Sequence, residues 1–257
     1  MSNPIVVTGS ASGLGAALAR RFSAEGASVI GVDRHDADVV ADLGTPDGRS
    51  QAVAEVERLS GGSIDGLVSC AATTPIDPDP ANVVSVNYFG MLAILDELLG
   101  CLTAGEGRSA VAISSIGAAH GPFDEELNRV LMAGDEPAAR QAAADGTDYR
   151  SAIAYNAAKL GVALGVRERA ESWARAGVRL NCVAPGRMET PMLEGLLADP
   201  VVAAGVDAMP SGIRLSASPD EIGGAVHFLL GPDASFVHGQ VLFVDGGVDA
   251  QLRPTEI

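Results

Sequence analysis

Tyr155 and Lys159 are the pair in this sequence whose types and spacing could do chemistry, a phenol and an ammonium four residues apart. Of the 17 basic side chains in the 257-residue chain, sixteen are arginine and Lys159 is the only lysine. In a chain that uses arginine wherever a solvated positive charge will do, the one lysine marks a place where arginine will not serve. An ammonium is a compact point charge with three rotatable donors, whereas guanidinium is a planar fork. Such a charge lowers the pKa of a nearby phenol and also bonds sugar hydroxyls. On a helix over 154–166 the two side chains would leave from one face. Taken alone, the pair is equally what a solvated helix surface carries.

A second constellation lies at the N-terminus. Thr8-Gly9-Ser10-Ala11-Ser12-Gly13-Leu14-Gly15 follows an apolar run and opens an amphipathic one. Glycines in such a turn permit close approach of a pyrophosphate, and the free N–H groups at the start of the next helix stabilise the anion. Asp33, 18 residues beyond Gly15, stands near the distance of about 20 at which a carboxylate meets an adenosine ribose. That carboxylate selects NAD, because it would repel a 2′-phosphate at about 4 Å by about 4 kcal/mol at an effective dielectric near 20. Arg34 is the counter-argument, since an arginine near the ribose can accommodate the phosphate.

The elements that must position these residues follow from periodicity. Strands are predicted over 4–8, 28–33, 66–70, 110–114, 178–183 and 240–244. Helices are predicted over 13–25, 47–59, 88–102, 154–175 and 220–230. Alternation of this kind gives βαβ units, hence an α/β doubly wound parallel sheet of the Rossmann type. Apolar strands suit a sheet covered on both faces. With no linker to divide it, residues 1–257 read as one domain.

A net charge of −16 disfavours nucleic acid and anionic membrane as partners. No unbroken apolar run approaches the roughly 18 residues of a membrane span, so a soluble, cytoplasmic protein is expected. Cys70, Cys101 and Cys182 are odd in number and lack metal spacing, and the four histidines are scattered, so neither disulfide nor metal is expected.

With these motifs in order, the chain resembles the short-chain dehydrogenase/reductase family over nearly its whole length. Further matches are Asp42-Leu43, Asn87 in Val86-Asn87-Tyr88-Phe89-Gly90, Ser114-Ser115, Pro185-Gly186 followed by Thr190, and Asp245-Gly246-Gly247. The segments NVVSVNYFG and VHGQVLFVDGG, with a long insertion before Tyr155, resemble its bacterial 3α-hydroxysteroid dehydrogenase/carbonyl reductase subgroup. The resemblance implies that Gly9, Ser12, Gly13, Leu14 and Gly15 hold the pyrophosphate, and that Asp33 and Arg34 face the ribose. By the same resemblance Asp42 and Leu43 meet adenine, and Cys70, Ala71 and Ala72 line the cofactor. It further implies that Pro185, Gly186, Met188 and Thr190 line the nicotinamide. One departure stands out. Ser69-Cys70-Ala71-Ala72 replaces the usual Asn-Asn-Ala-Gly, removing an amide that would brace the sheet and adding a methyl near the cofactor.

The implied mechanism makes Tyr155 the general acid/base, its pKa lowered by Lys159, which also holds the ribose. Ser115 donates to the substrate oxygen, and Asn87 assists Lys159 through an ordered water. Strand alternation lets only one of Ser114 and Ser115 reach the site; the family alignment selects Ser115. The expected reaction is hydride transfer between NAD and a secondary alcohol or ketone, a 3α-hydroxysteroid or carbonyl compound being the candidate. The alternative is a cofactor-binding regulator or scaffold without turnover.

Residues 188–213 read as a substrate lid, mixing apolar Leu196, Leu197, Val201, Val202 and Met209 with Gly and Pro, which suits a hydrophobic ketone. Residues 120–150 read as a helical insertion, over 124–133 and 136–144, with Phe123, Leu127, Val130 and Leu131 in one stripe. That stripe must be buried. Burial within the chain and contact with a second subunit both satisfy the pattern, the latter giving a homodimer in preference to a tetramer.

Overall fold

Short β-branched runs cannot bury themselves singly, and here they pair into one sheet. The computed structural model describes residues 3–144 and 149–256. Its strands are β1 (Ile5–Thr8), β2 (Val29–Asp33), β3 (Val39–Val40), β4 (Gly66–Ser69), β5 (Ser109–Ile113), β6 (Arg179–Pro185) and β7 (Val241–Val244). All neighbours are parallel, in the order β3-β2-β1-β4-β5-β6-β7. The direction of winding therefore reverses between β1 and β4, and a crevice opens beyond their C-terminal ends. Central β4 and β5 are buried at every position, as a sheet covered on both faces requires. The two-residue β3 was not foreseen, because two residues carry no period.

Helices α1 (Gly13–Ala24) and α2 (Pro46–Ser60) return the chain after β1 and β3. Thr45 caps α2, its hydroxyl accepting from the Gly48 amide at 3.1 Å with Pro46 following, a pairing that satisfies one free N–H and needs none from proline. The next helical stretch comprises α3 (Pro80–Val84), a π-helical turn (Ser85–Gly90), α4 (Met91–Glu97) and α5 (Leu99–Ala104). It starts eight residues before the predicted Tyr88, because Asp79 caps it by accepting from Ala81 at 2.9 Å and Pro80 takes the first position. By length and composition this stretch could cross a bilayer. Most of it is instead buried in the core, with Ile94, Leu95 and Leu98 shut off from water.

Three short helices, α6 (Gly117–His120), α7 (Glu125–Met132) and α8 (Glu136–Ala144), precede the long α9 (Arg150–Arg175). Residues 145–148 of the 120–150 insertion lie outside those described. Leu127 and Leu131 are fully buried and Val130 nearly so, within this one chain. The subunit-contact reading of the stripe is thereby corrected: α7 and α8 pack on each other and on α9, and of the four apolar residues Phe123 alone remains substantially exposed. Arg150 closes the hairpin. It donates to the Asp124 carboxylate at 2.6 Å and to the carbonyls of Ala142 and Ala143.

Beyond β6 come α10 (Pro191–Ala198), α11 (Pro200–Asp207), α12 (Pro219–Leu230) and α13 (Val248–Leu252). Although α10 is rich in apolar residues, none of its side chains is buried. The side chain of Val201 in α11 lies outside those described.

Because Leu131 is shut inside the chain, Leu131→Ala should destabilise the fold by roughly 2–5 kcal/mol. Urea unfolding measures it, and a loss below about 1 kcal/mol would show the hairpin to be loosely attached.

Candidate active site

A cleft occupies the crevice at the β1/β4 reversal. Its floor is the glycine-rich turn, in which Gly9 and Gly13 adopt φ of +71° and +52°, a left-handed conformation that side chains rarely take. The turn is also too tight for a methyl, since a Cβ on Gly15 would lie 2.0 Å from the Gly9 carbonyl oxygen. Ser12 and Leu14 complete this wall, ahead of α1. Asp33, at the end of β2, accepts from the Ala11 amide at 3.0 Å and from the Arg34 amide at 2.7 Å. The carboxylate thus braces the turn from the side while still facing the cleft. Arg34 is exposed and lines the same end. Asp42 and Leu43 form the far rim, with His35, Ala41 and Val86 beside them.

Cys70, Ala71 and Ala72 line the middle of the cleft. The departure at these positions has a local answer. The buried Thr8 hydroxyl accepts from the amides of Cys70 and Ala71 at 2.9 and 3.0 Å, tying the end of β1 to the loop after β4. The side chain of Asn87, fully buried in the π-helical turn, continues the brace, accepting from the Thr73 amide at 2.7 Å and donating to the Thr73 carbonyl at 3.1 Å. Its amide is therefore directed to the loop. Burial pushes the Cys70 thiol up to about 11, so it stays protonated at neutral pH.

Tyr155 and Lys159 project from α9 at the other end of the cleft. Lys159 is 1% exposed. Its ammonium donates to the Ile113 carbonyl at 2.8 Å, lies 3.6 Å from the Met91 sulfur and 5.7 Å from the Tyr155 ring centroid. Burial pushes its pKa down to about 8. Tyr155 moves the other way: burial raises its phenol, opposed by a hydrogen bond from Ser115. The expectation of a lowered phenol is not met in the chain by itself, because desolvation outweighs the hydrogen bond.

The two serines separate as strand alternation requires. Ser114 is buried and donates to the Lys159 carbonyl at 2.7 Å, whereas Ser115 contacts Tyr155 and accepts from the Gly117 amide at 3.1 Å. Tyr155 and Ser115, 40 residues apart in sequence, are thus brought together.

Met188 and Thr190 line the cleft, but the Thr190 hydroxyl is engaged as the cap of α10, accepting from Leu193 at 3.3 Å. Pro185 and Gly186 do not line it. Pro185 ends β6 with its carbonyl accepting from Ile116 at 2.8 Å, and Gly186 packs so closely on Asp245 that a Cβ would sit 2.8 Å from the Asp245 Cα. Thr8 and Thr73, the two anchors of the loop, were not foreseen as such. Their signal was a small hydroxyl residue at the end of an apolar run and just past another.

The open cradle, the carboxylate at one end and the phenol and ammonium at the other fit a dinucleotide. Comparisons with known proteins agree. Residues 3–125 match the family described as short chain dehydrogenase, and residues 141–249 match one described as Enoyl-(Acyl carrier protein) reductase. The chain is 41% identical over 253 residues to the 3-alpha-hydroxysteroid dehydrogenase/carbonyl reductase of Comamonas testosteroni, covering 98% of each. It is 32% identical to a Pseudomonas coniferyl-alcohol dehydrogenase, covering 95% of each. The crystal structure of a Pseudomonas 3-alpha-hydroxysteroid dehydrogenase complexed with NADH superposes with a TM-score of 0.94 at 43% identity, covering 98% of this chain and 99% of that one.

The buried ammonium predicts a pH-dependent stability. An unfolded lysine binds its proton below its ordinary pKa of 10.5, whereas the folded one does so only below about 8, so stability rises with pH between those values and the penalty is full below 8. Lys159→Met should therefore be the more stable protein at pH 7, by at most about 3 kcal/mol. Denaturant titrations of both proteins from pH 6 to 11 check this; a gap that does not close above pH 8 would show that burial carries no such penalty.

Proposed function

This chain belongs to the short-chain dehydrogenase/reductase family, and we propose that within it the protein interconverts a hydrophobic secondary alcohol and its ketone with NAD. A 3α-hydroxysteroid or similar cyclic carbonyl compound is the substrate class we assign. The observation that carries this reading is the meeting of Tyr155 and Lys159 at the end of the cleft opposite Asp33, with Ser115 hydrogen-bonded to the phenol. NAD, when bound, supplies the hydride carrier and, in its oxidised form, a positive charge.

The chain's residues do the rest. The phenol of Tyr155, raised by burial, holds its proton through neutral pH, the state needed to donate to a carbonyl oxygen. Ser115 bonds the phenol now and would bond the substrate oxygen, steadying charge that develops there. Lys159 places a charge beneath the ring, and an ammonium with one carbonyl and one thioether as partners keeps capacity for ribose hydroxyls. In the reverse direction the same phenol acts as base, which requires its pKa to fall. Asn87 acts by positioning the 70–73 loop.

Segment 188–213 serves as a lid in this reading, supported by the unburied apolar residues of α10 and by Met188 and Met192 in the cleft wall. Flexible methionines suit a bulky apolar ligand. A cytoplasmic homo-oligomer completes the proposal. A dimer is favoured over a tetramer because the insertion covers part of α9. The relatives named above are dehydrogenases or reductases, so the non-catalytic reading has no support.

Absorbance at 340 nm with NAD and a panel of secondary alcohols, hydroxysteroids included, tests turnover directly. Tyr155→Phe should abolish it, by about 1000-fold or more, while leaving NAD affinity within a few fold. Substantial activity in that variant would exclude Tyr155 as the proton donor. Asp33→Ala should weaken NAD by about 10-fold and relax discrimination against NADP, since charge-assisted bonds are lost with the repulsion. Should the unaltered protein already prefer NADP in side-by-side kinetics, Arg34 governs the choice.

A further inference from the structure

We propose that the insertion helix α8 is a positioning element for the adenine half of the cofactor, acting through an ion pair between Glu136 and Arg49. The inference rests on the dinucleotide reading of the cleft. Arg49 lies in the first turn of α2, just after the Asp42–Leu43 rim, and its side chain is 8% exposed. All three of its nitrogens are engaged. The two terminal nitrogens donate to the two Glu136 oxygens at 2.7 Å each, a bidentate pair whose carboxylate is 18% exposed. Nε donates to the Leu43 carbonyl at 2.8 Å, and Nη2 reaches the carbonyls of Ser85 at 3.1 Å and Gly44 at 3.4 Å.

One guanidinium thus joins three places that are remote in sequence: the rim, the π-helical turn that carries Val86 and Asn87, and the insertion. The rim has little other freedom. A Cβ on Gly90 would lie 2.7 Å from the Leu43 oxygen, so the loop is pressed against the π-helical turn, and the Asp42 carboxylate accepts from the Gly44 amide at 2.9 Å. On the insertion side Arg140, also in α8, donates to the Ser85 hydroxyl at 2.6 Å and to the Ala81 carbonyl. Two arginines therefore hold Ser85 by its carbonyl and its hydroxyl. Burial works to raise the Glu136 carboxyl, but the bonds and charge of Arg49 outweigh it and hold the pKa below its ordinary value, so the pair is ionised at neutral pH.

Neither Arg49 nor Glu136 lines the cleft. Each acts through Leu43 and Val86, which do. Without the carboxylate, the guanidinium would turn toward other acceptors and release the two rim carbonyls. A planar bidentate pair specifies that geometry, and a lysine at 49 could not. The insertion, in this view, sets how firmly the rim is pre-organised for adenine, and the nicotinamide end is untouched.

The experiment measures calorimetric binding of two cofactor fragments, ADP-ribose and nicotinamide mononucleotide, with steady-state kinetics in NAD. Glu136→Gln and Arg49→Lys should each weaken ADP-ribose by about 10-fold and raise KM for NAD in proportion, leaving kcat and nicotinamide mononucleotide within about 2-fold. Unchanged ADP-ribose affinity in both folded variants would overturn the proposal, as would equal losses for both fragments, which mark a general lesion. Hydrogen exchange on the unaltered protein decides the matter if either variant fails to fold. ADP-ribose should then slow exchange across Glu136–Ala144, which it does not touch, and no change there would also overturn the proposal. If the unaltered protein fails to bind ADP-ribose, it is the dinucleotide reading that falls.

Discussion

An ammonium held out of water is the constraint on which the rest of this site depends. Lys159 is almost fully buried, and its pKa falls to about 8 because the surroundings give back only part of the hydration they remove. What they give is set by the fold. The Ile113 carbonyl reaches the ammonium because β5 ends there, and Ser114, the next residue, turns its hydroxyl to the Lys159 carbonyl. Strand end and helix are thus fastened at two adjacent points. That fastening places Ser115, on the opposite side of the strand, against Tyr155. The position of the phenol is therefore a consequence of where the lysine is stored.

The opposite wall of the cleft shows how a sheet keeps its loops in register where pairing has stopped. Beyond the last paired residues of β1 and β4 no ladder remains, and side chains must replace it. Thr8 accepts from two successive amides of the neighbouring strand's loop, and the Asn87 amide bonds both backbone groups of Thr73. Asp33 does the same for the glycine-rich turn. Each of these residues spends its polar groups on backbone that faces the cleft, so the walls are rigid although they are loops.

Much of this was legible in the sequence, for identifiable reasons. The parallel sheet, and a cleft between the glycine-rich turn and the Tyr155 helix, followed from strand and helix periods and from glycines at the turn. Three things were not. The helix at Pro80 begins with a cap and a proline that read as a turn until the apolar residues downstream are seen to continue it. The stripe of Leu127 and Leu131 carried a period but no address, since a pattern that demands burial does not say against which surface. Roles such as those of Thr8, Asn87 and Arg49 depend on contacts across the fold, where a single residue type has many uses. Pro185 and Gly186 lie beside the cleft wall and not in it. They adjoin Met188 and Thr190 in sequence, but β6 carries them to the β7 side of the wall.

The two most buried cations of the structure make a closing comparison. Arg49 and Lys159 are both withdrawn from water, yet they are held differently. Arg49 meets a bidentate carboxylate and three carbonyls, so its charge is neutralised locally and its geometry is specified. Lys159 is held by one carbonyl and one thioether, and among the described residues no carboxylate bonds it, so burial dominates and its pKa falls to about 8.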